Sequence, residues 1–317
     1  LKTSDDLEVY ELENGSKDKL EEICDLRQPV ILNYYNGAIL QTITKNTILG
    51  KYGAFEMKTR NTLDTDYSSE IYIPLQAQSM FKLFDKSGPY ITENNSEFLQ
   101  ETGLVKNFQS TDEFIRPGLV SNCIYDFCTG SINSTTPFRY EVGYRNYFYV
   151  TSGEIEIKMA PPKCAKYLHC VEDHYNFEFR SPIDPWQVQE EYQYDFEKIK
   201  CMDILLTQGK MIHIPAYWFY SIRYKDSASV AVFKYRTYMN NIAILPKLGM
   251  YFLQMQNTKH TIVKKYEDVK YNDEKKELND NGVTDINNLT PLPESNDLPI
   301  LNPATNPVED IDIPKIL

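Results

Sequence analysis

The chain has 317 residues and a formal net charge of −12, from 33 Lys+Arg against 45 Asp+Glu. That balance speaks against a general nucleic-acid binder, which would carry a basic stripe, and no run approaches the ~18 apolar residues that cross a bilayer. A hydrophobic fraction of 42%, with 24 Tyr, 15 Phe and 2 Trp, is enough for one large core or two smaller ones. Residues 7–12 (LEVYEL) alternate and predict a short strand. Asp18 and Glu21 have capping-box spacing and predict a helix over 18–27. VILNYY at 30–35 is a buried strand, and 37–49 predicts a helix that stops at Gly50 or Gly53. A strand over 54–60 follows. Pro74 is placed to open a helix whose apolar face is Leu75, Met80, Phe81 and Phe84, and a second helix starts near Ser96.

From about residue 118 the pattern changes to short β-rich runs with Gly and Pro at the corners. They are IYDFCTG, TPFRYEV, NYFYVTSG, EIEIKMAPP, DILLTQG, KMIHIPA, YWFYSIRY and SVAVFKYRTY. Such runs predict a mainly β fold with flanking helices, its core a jelly roll or double-stranded β-helix. Pro246 then opens a helix with Leu248, Tyr251, Phe252 and Met255 on one face. No repeat of 20–50 residues is present. The expected organisation is an N-terminal strand and helix region (1–117) packing on a barrel, the β core itself (118–240), a helical region (241–271) and an extended tail (272–317).

The acidic excess is concentrated at the end. Residues 265–317 hold 12 Asp/Glu and 5 Lys, a net of −7, and six prolines from Pro291 to Pro314. Proline removes a donor and fixes φ, so this stretch joins neither a helix nor a central strand. It reads as a linker end or as an arm that orders on a partner; its apolar clusters, Leu298 with Ile300 and Leu301 and Ile311 to Leu317, favour the arm. The start carries no signal-peptide pattern, but it is Leu1 rather than Met, so membrane attachment is expected only if a missing upstream segment supplies an anchor.

Two segments resemble the JmjC/cupin-like hydroxylase superfamily. RQPVILNYY (27–35) is similar to the strand that opens many of these domains. TTPFRYEVGYRNYFYVTSGEIEIKMAPP (135–162) and GKMIHIPAYWFYSIRY (209–224) are similar to the two core segments. The resemblance implies a barrel that holds Fe(II) through two His and one carboxylate, beside 2-oxoglutarate. Here the first His position is Arg139, the carboxylate position Glu141 and the second His position Tyr220. The cosubstrate Lys position is Ile155, and only Thr136 persists near the other cosubstrate contact. A guanidinium is always protonated and has no lone pair for a metal, so a degenerate member is expected, with no cofactor and no catalytic residue. A direct Arg139–Glu141 ion pair with the Tyr220 hydroxyl nearby is the expected filling, since side chains at i and i+2 of a strand share a face.

The leading expectation is therefore a non-catalytic cupin acting as a binding or assembly protein, with protein partners taken through the tail. The AT-rich composition and the resemblance are similar to proteins of large nucleocytoplasmic DNA viruses. They imply a minor capsid or virion-associated role in the virion or infected-cell cytoplasm, among viral structural proteins. One alternative is an Fe(II)/2-oxoglutarate-dependent hydroxylase or demethylase recruiting His213, Glu141 and a residue of the Cys164, His169, Cys170, His174 cluster. Another is an anion- or small-molecule-binding cupin using Arg139. That Cys/His spacing matches no common zinc finger, and incidental side chains or a disulfide are the simpler account. Cys123 and Cys128 are close enough to pair or simply to pack, and Trp186 with the aromatics at 217–220 reads as core or as a ligand groove.

Overall fold

The structure is a computed structural model, and it describes residues 7–13, 15–63, 72–86, 88–174 and 177–255. The expected arm over 272–317 and the end of the expected helical region lie outside the described residues. The strands are β1 (Tyr10–Leu12), β2 (Val30–Asn33), β3 (Glu56–Asn61), β4 (Ile73–Gln76), β5 (Tyr90–Thr92), β6 (Val120–Gly130), β7 (Arg139–Tyr140), β8 (Arg145–Ser152), β9 (Glu154–Ala160), β10 (Val171–Asp173), β11 (Glu178–Arg180), β12 (Met202–Thr207), β13 (Lys210–Ile214), β14 (Phe219–Tyr224) and β15 (Ser229–Thr237). The helices are α1 (Lys17–Asp25), α2 (Gly37–Thr42), α3 (Lys45–Tyr52), α4 (Ala77–Phe84), α5 (Ser96–Glu101), α6 (Val105–Thr111), α7 (Gln193–Phe196), α8 (Tyr238–Ala243) and α9 (Leu245–Met255).

Two sheets face each other as a jelly-roll core. One has nine strands in the order β1-β2-β13-β8-β15-β6-β5-β3-β4; the other has six in the order β10-β11-β7-β14-β9-β12. All described pairs are antiparallel except β1 with β2. Strand alternation divides the apolar residues among three layers. Between the sheets lie Phe148, Val150, Ile155, Ile157, Met159, Ile212, Ile222 and Val230. Their sequence neighbours on the large sheet, such as Tyr147, Tyr149, Met211 and Phe233, point outward into a second layer against the N-terminal helices. A third layer, with Phe138, Tyr140, Phe179 and Phe219, covers the outer face of the small sheet. Gly153 and Gly209, at φ +72 and +86, make the tight turns that carry the chain between the two sheets, from β8 to β9 and from β12 to β13. A Cβ on Gly153 would sit 2.8 Å from Ala228 Cα, so that turn needs glycine for space as well as for φ.

Several local expectations are corrected. The helix expected over 37–49 is two helices, α2 and α3, broken at Ile43 and Thr44. Thr44 is extended (φ −135, ψ 154) and its hydroxyl caps α3 by accepting from Thr47 N, a competing bond that a mid-helix Thr offers the backbone. α1 is capped by Ser16, whose side chain accepts from Lys19 N, rather than by Asp18. Pro74 lies in β4, an edge strand, where its missing N–H breaks no ladder bond on the open side. Only Arg139 and Tyr140 of TPFRYEV join a ladder.

The central layers should dominate stability. Phe233→Ala, fully buried on β15, is expected to cost about 3–5 kcal/mol. Leu205→Ala, on the exposed side of β12, should stay within about 0.5 kcal/mol. Urea titrations of both variants against the parent chain, with unchanged m, measure the difference.

Candidate functional site

One end of the barrel interior is polar. On β15 the inward face that begins with Val230 and Val232 continues with Lys234 and Arg236. On β14 Tyr220 faces inward with Ile222 and Tyr224. Arg139 stands beside it, since β7 pairs Arg139 with Tyr220 on one side and with Arg180 of β11 on the other. Phe179 faces the outer layer, so Glu178 and Arg180 are turned into the barrel. Arg60 of β3 and Glu93, just past β5, come from the N-terminal region of the chain and complete the mouth.

These side chains form ion pairs. The Arg139 guanidinium donates through Nη1 and Nη2 to both oxygens of Glu93, and through Nη1 to Glu178 Oε1 at 3.2 Å. Arg60 Nη1 donates to Glu178 Oε1 at 2.9 Å, and the Tyr72 hydroxyl donates to Glu93 Oε1 at 2.7 Å. Beside this cluster, Glu141 Oε1 accepts from Lys234 Nζ at 2.8 Å and from the Tyr220 hydroxyl at 3.2 Å. Burial alone would raise the Glu93 carboxyl, but the charges and hydrogen bonds of Arg139, with Arg60 and Tyr72, hold it at about 2. Burial works against Glu141 in the same way, and Lys234 and Arg139 hold it below the ordinary carboxylate range. The Tyr220 hydroxyl is pushed up by burial and by Glu141, so it stays a neutral donor.

The structure thus brings Arg139, Glu141 and Tyr220 to one place, with the Tyr220 hydroxyl donating to Glu141. It corrects the expected ion pair: Arg139 is committed to Glu93 and Glu178, and Glu141 to Lys234. The reason is that β7 ends at Tyr140, so Glu141 has left the ladder that aims Arg139. Thr136 and Ile155 lie elsewhere. Thr136 Oγ1 accepts from Ile222 N at 2.9 Å, a structural bond along β14, and Ile155 is fully buried among the apolar side chains deeper in the barrel.

The other candidates separate. His213 shares the outward face of β13 with Met211, its ring 5.1 Å from that of Tyr147, so it turns away from Glu141. Burial holds the imidazole neutral, with Arg145 acting the same way. His169 bonds Asp195, His174 lies 3.3 Å from Glu172, and Cys164 is buried. Among the described residues no three His, Cys, Asp or Glu side chains are grouped to hold a metal, which removes the ligand set expected for an atypical iron site. Among the described residues no disulfide joins any of the cysteines, Cys123 and Cys128 included. Trp186 lies outside the small sheet with Arg223 over its ring at 4.1 Å, while Trp218, Phe219 and Tyr220 are core. Among the described residues no helix is long and apolar enough to cross a membrane.

A family model for the cupin-like domain matches residues 8–236, well over half of the chain, and the chain belongs to that family. No curated protein matches it. The JmjC-type relatives that the sequence resembles hold Fe(II) in the barrel mouth. The donor set here does not fit that ion. Arg139 offers no lone pair, Glu141 is already bonded to an ammonium and a hydroxyl, and the surrounding guanidinium groups would repel a dication.

The pairing of Glu93 fixes a direction for acid stability. Its folded value of about 2 lies below the unfolded value of about 4.5, so its contribution is present above pH 4.5 and is lost as the pH falls toward 2. The contribution is about 3 kcal/mol at neutral pH, at about 1.4 kcal/mol per unit. Glu93→Gln should be destabilised by a similar amount at pH 7, because it leaves Arg139 without its main partner. Its stability should also depend less on pH between 4.5 and 2 than that of the parent, as read by denaturant unfolding across that window.

Proposed function

We propose that this member of the cupin-like family works by binding rather than by turnover. The observation that carries the reading is the closed ion network in the barrel mouth: Arg139 on Glu93 and Glu178, and Lys234 on Glu141. An oxygenase needs open coordination positions facing a dry pocket for cosubstrate. Here the position of the first ligand is a permanent cation, and the position that would clamp the far carboxylate of 2-oxoglutarate is the apolar Ile155.

The partner in this reading is a protein. An apolar strip on α8 and α9 supports it: Tyr238, Met239, Ile242, Leu245, Phe252 and Leu253 are each more than 60% or close to 60% exposed. Strips of this kind mark interaction surfaces. The acidic, proline-punctuated 272–317 segment is the second element proposed to engage it, as an arm suited to large contact areas. An assembly role, as a minor capsid or virion-associated protein of a large DNA virus, is the finer form of the proposal. It rests on composition and resemblance alone.

The test is direct. The purified full chain, incubated with Fe(II) and 2-oxoglutarate, is expected to retain substoichiometric iron after desalting and to form no succinate above the protein-free rate. One equivalent of retained iron, or catalytic succinate, would overturn the reading. Ile242→Asp with Phe252→Asp is expected to leave the melting temperature within a few degrees of the parent while abolishing co-assembly.

A further inference from the structure

A cavity of about 580 Å³ opens where the end of α1, the start of α8 and the loops leading into β8 and β14 meet. That is the size of a small-molecule site. It shares no residue with the ion network of the barrel mouth. The segment before β6 and α8 give it apolar lining, among them Pro117, Leu119, Met239 and Ala243. Leu119 and Met239 are 79% and 69% exposed, so this lining is open to an incoming solute.

The backbone around the cavity is held in a costly shape. Seven non-glycine residues among those described have a left-handed backbone, and three of them line this one cavity: Arg27 (φ +58), Leu119 (φ +51) and Tyr217 (φ +67). Each is pinned by a hydrogen bond. Arg27 O accepts from Trp218 Nε1 at 3.1 Å, Leu119 O accepts from Tyr238 N at 3.3 Å, and Tyr217 N donates to Glu141 O at 2.9 Å. Backbone strain of this kind gathers at ligand clamps.

The charged residues of the lining are Glu21, Asp25, Arg27 and Arg145, two of each sign. Arg145 is buried, and its Nη2 donates to Asp25 Oδ1 at 2.7 Å and to Glu21 Oε2 at 3.1 Å. The Tyr144 hydroxyl donates to the same Asp25 oxygen at 2.8 Å. One cation thus answers two carboxylates, and Asp25 Oδ2 and Glu21 Oε1 accept from no described donor. Arg27 is the balancing charge. It is half-buried and acts on both Asp25 and the Tyr217 hydroxyl, yet it makes no ion pair within 4 Å among the described residues. Opposite charges therefore face one cavity without meeting, each short of a partner.

The geometry points to a site for a free amino acid with an apolar side chain. Its carboxylate takes the two-donor fork of Arg27. Its ammonium takes the open oxygens of Asp25 and Glu21, and its side chain lies against Leu119 and Met239. Three features set the class: a lining with no net charge, which favours a zwitterion over an ion of either sign; a cation and carboxylates held apart; and an apolar remainder. This goes beyond the reading of the barrel mouth and does not depend on it.

Isothermal titration of the purified full chain with L-phenylalanine tests the proposal. Three partial ligands serve as controls: 2-phenylethylamine, which lacks the carboxylate, 3-phenylpropionate, which lacks the ammonium, and L-alanine, which lacks the ring. One phenylalanine per chain is expected. Each partial ligand should bind about tenfold more weakly or worse, from the loss of one charge-assisted hydrogen bond or of the apolar contact. In Arg27→Gln, phenylalanine should weaken to the level of 2-phenylethylamine, while 2-phenylethylamine itself binds as it does to the parent. A melting curve without ligand checks that the variant is folded; if it is not, the ligand series on the parent chain decides. No phenylalanine heat up to millimolar concentration, or a partial ligand bound as tightly as the whole, would overturn the site. So would a folded Arg27→Gln that binds phenylalanine as the parent does.

Discussion

A guanidinium inside a β-barrel has to be answered by a carboxylate, and much of the structure around the mouth can be understood from that requirement. Glu93 supplies the answer, but its chain position is far from Arg139 and its strand is only three residues long. What aims it is Asp126 on the next strand. The Asp126 carboxylate accepts from Asn94 N at 2.7 Å and Asn95 N at 2.6 Å, fixing the turn that follows Glu93. Asn94 sits at φ +60, a left-handed conformation that Asn tolerates better than most residues. Asn95 then ties the turn to both flanks, accepting from Lys58 N and donating to Phe127 O. The pairing of Arg139 thus depends on a hydrogen-bonded turn whose own residues never touch it.

The N-terminal region is consequently part of the barrel's chemistry as well as its cover. β2 adds to the large sheet beside β13, and β5 and β3 add to it beside β6. This brings Arg60 and Glu93 to the mouth while α1 to α6 shield the outer face. A buried Asp112 holds the far side of that shield: its Oδ2 accepts from the hydroxyls of Tyr125 at 2.6 Å and Tyr235 at 2.7 Å, and from Arg116. Tyr-rich strands on the outer face therefore find polar partners for hydroxyls that a purely apolar layer would leave unsatisfied.

The jelly-roll class was legible because the strands of residues 118–237 are short, β-branched or aromatic, and closed by Gly or Pro turns; EIEIK gives its inward and outward faces directly. That Arg139, Glu141 and Tyr220 meet at one end of the barrel was legible because two motif-bearing segments fix their register. Their partners were not. Glu178 and Arg180 flank Phe179, and alternation would put the phenylalanine inside; a third apolar layer on the outer face of the small sheet reverses that assignment. Glu93 sits between strand and turn with no spacing that links it to residue 139. Lys234 looks like one solvent-facing residue in a run of apolar ones. Helix breaks at Thr44 and the strand at Pro74 were missed for local reasons, a side-chain cap in one case and a free sheet edge in the other.

Buried ion pairs seldom add much stability over well-packed apolar side chains of the same size. On stability alone the mouth would therefore gain by being filled with Leu or Met, as the deeper half of the barrel already is around Ile155 and Met159. Keeping Arg60, Arg139 and Lys234 there, each tied to a carboxylate, runs against that gain. Each carboxylate present is held by more than one donor, and the Glu93 pairing alone ties together β3, β5 and β7. Such a network specifies one arrangement of strands where a greasy plug would tolerate several.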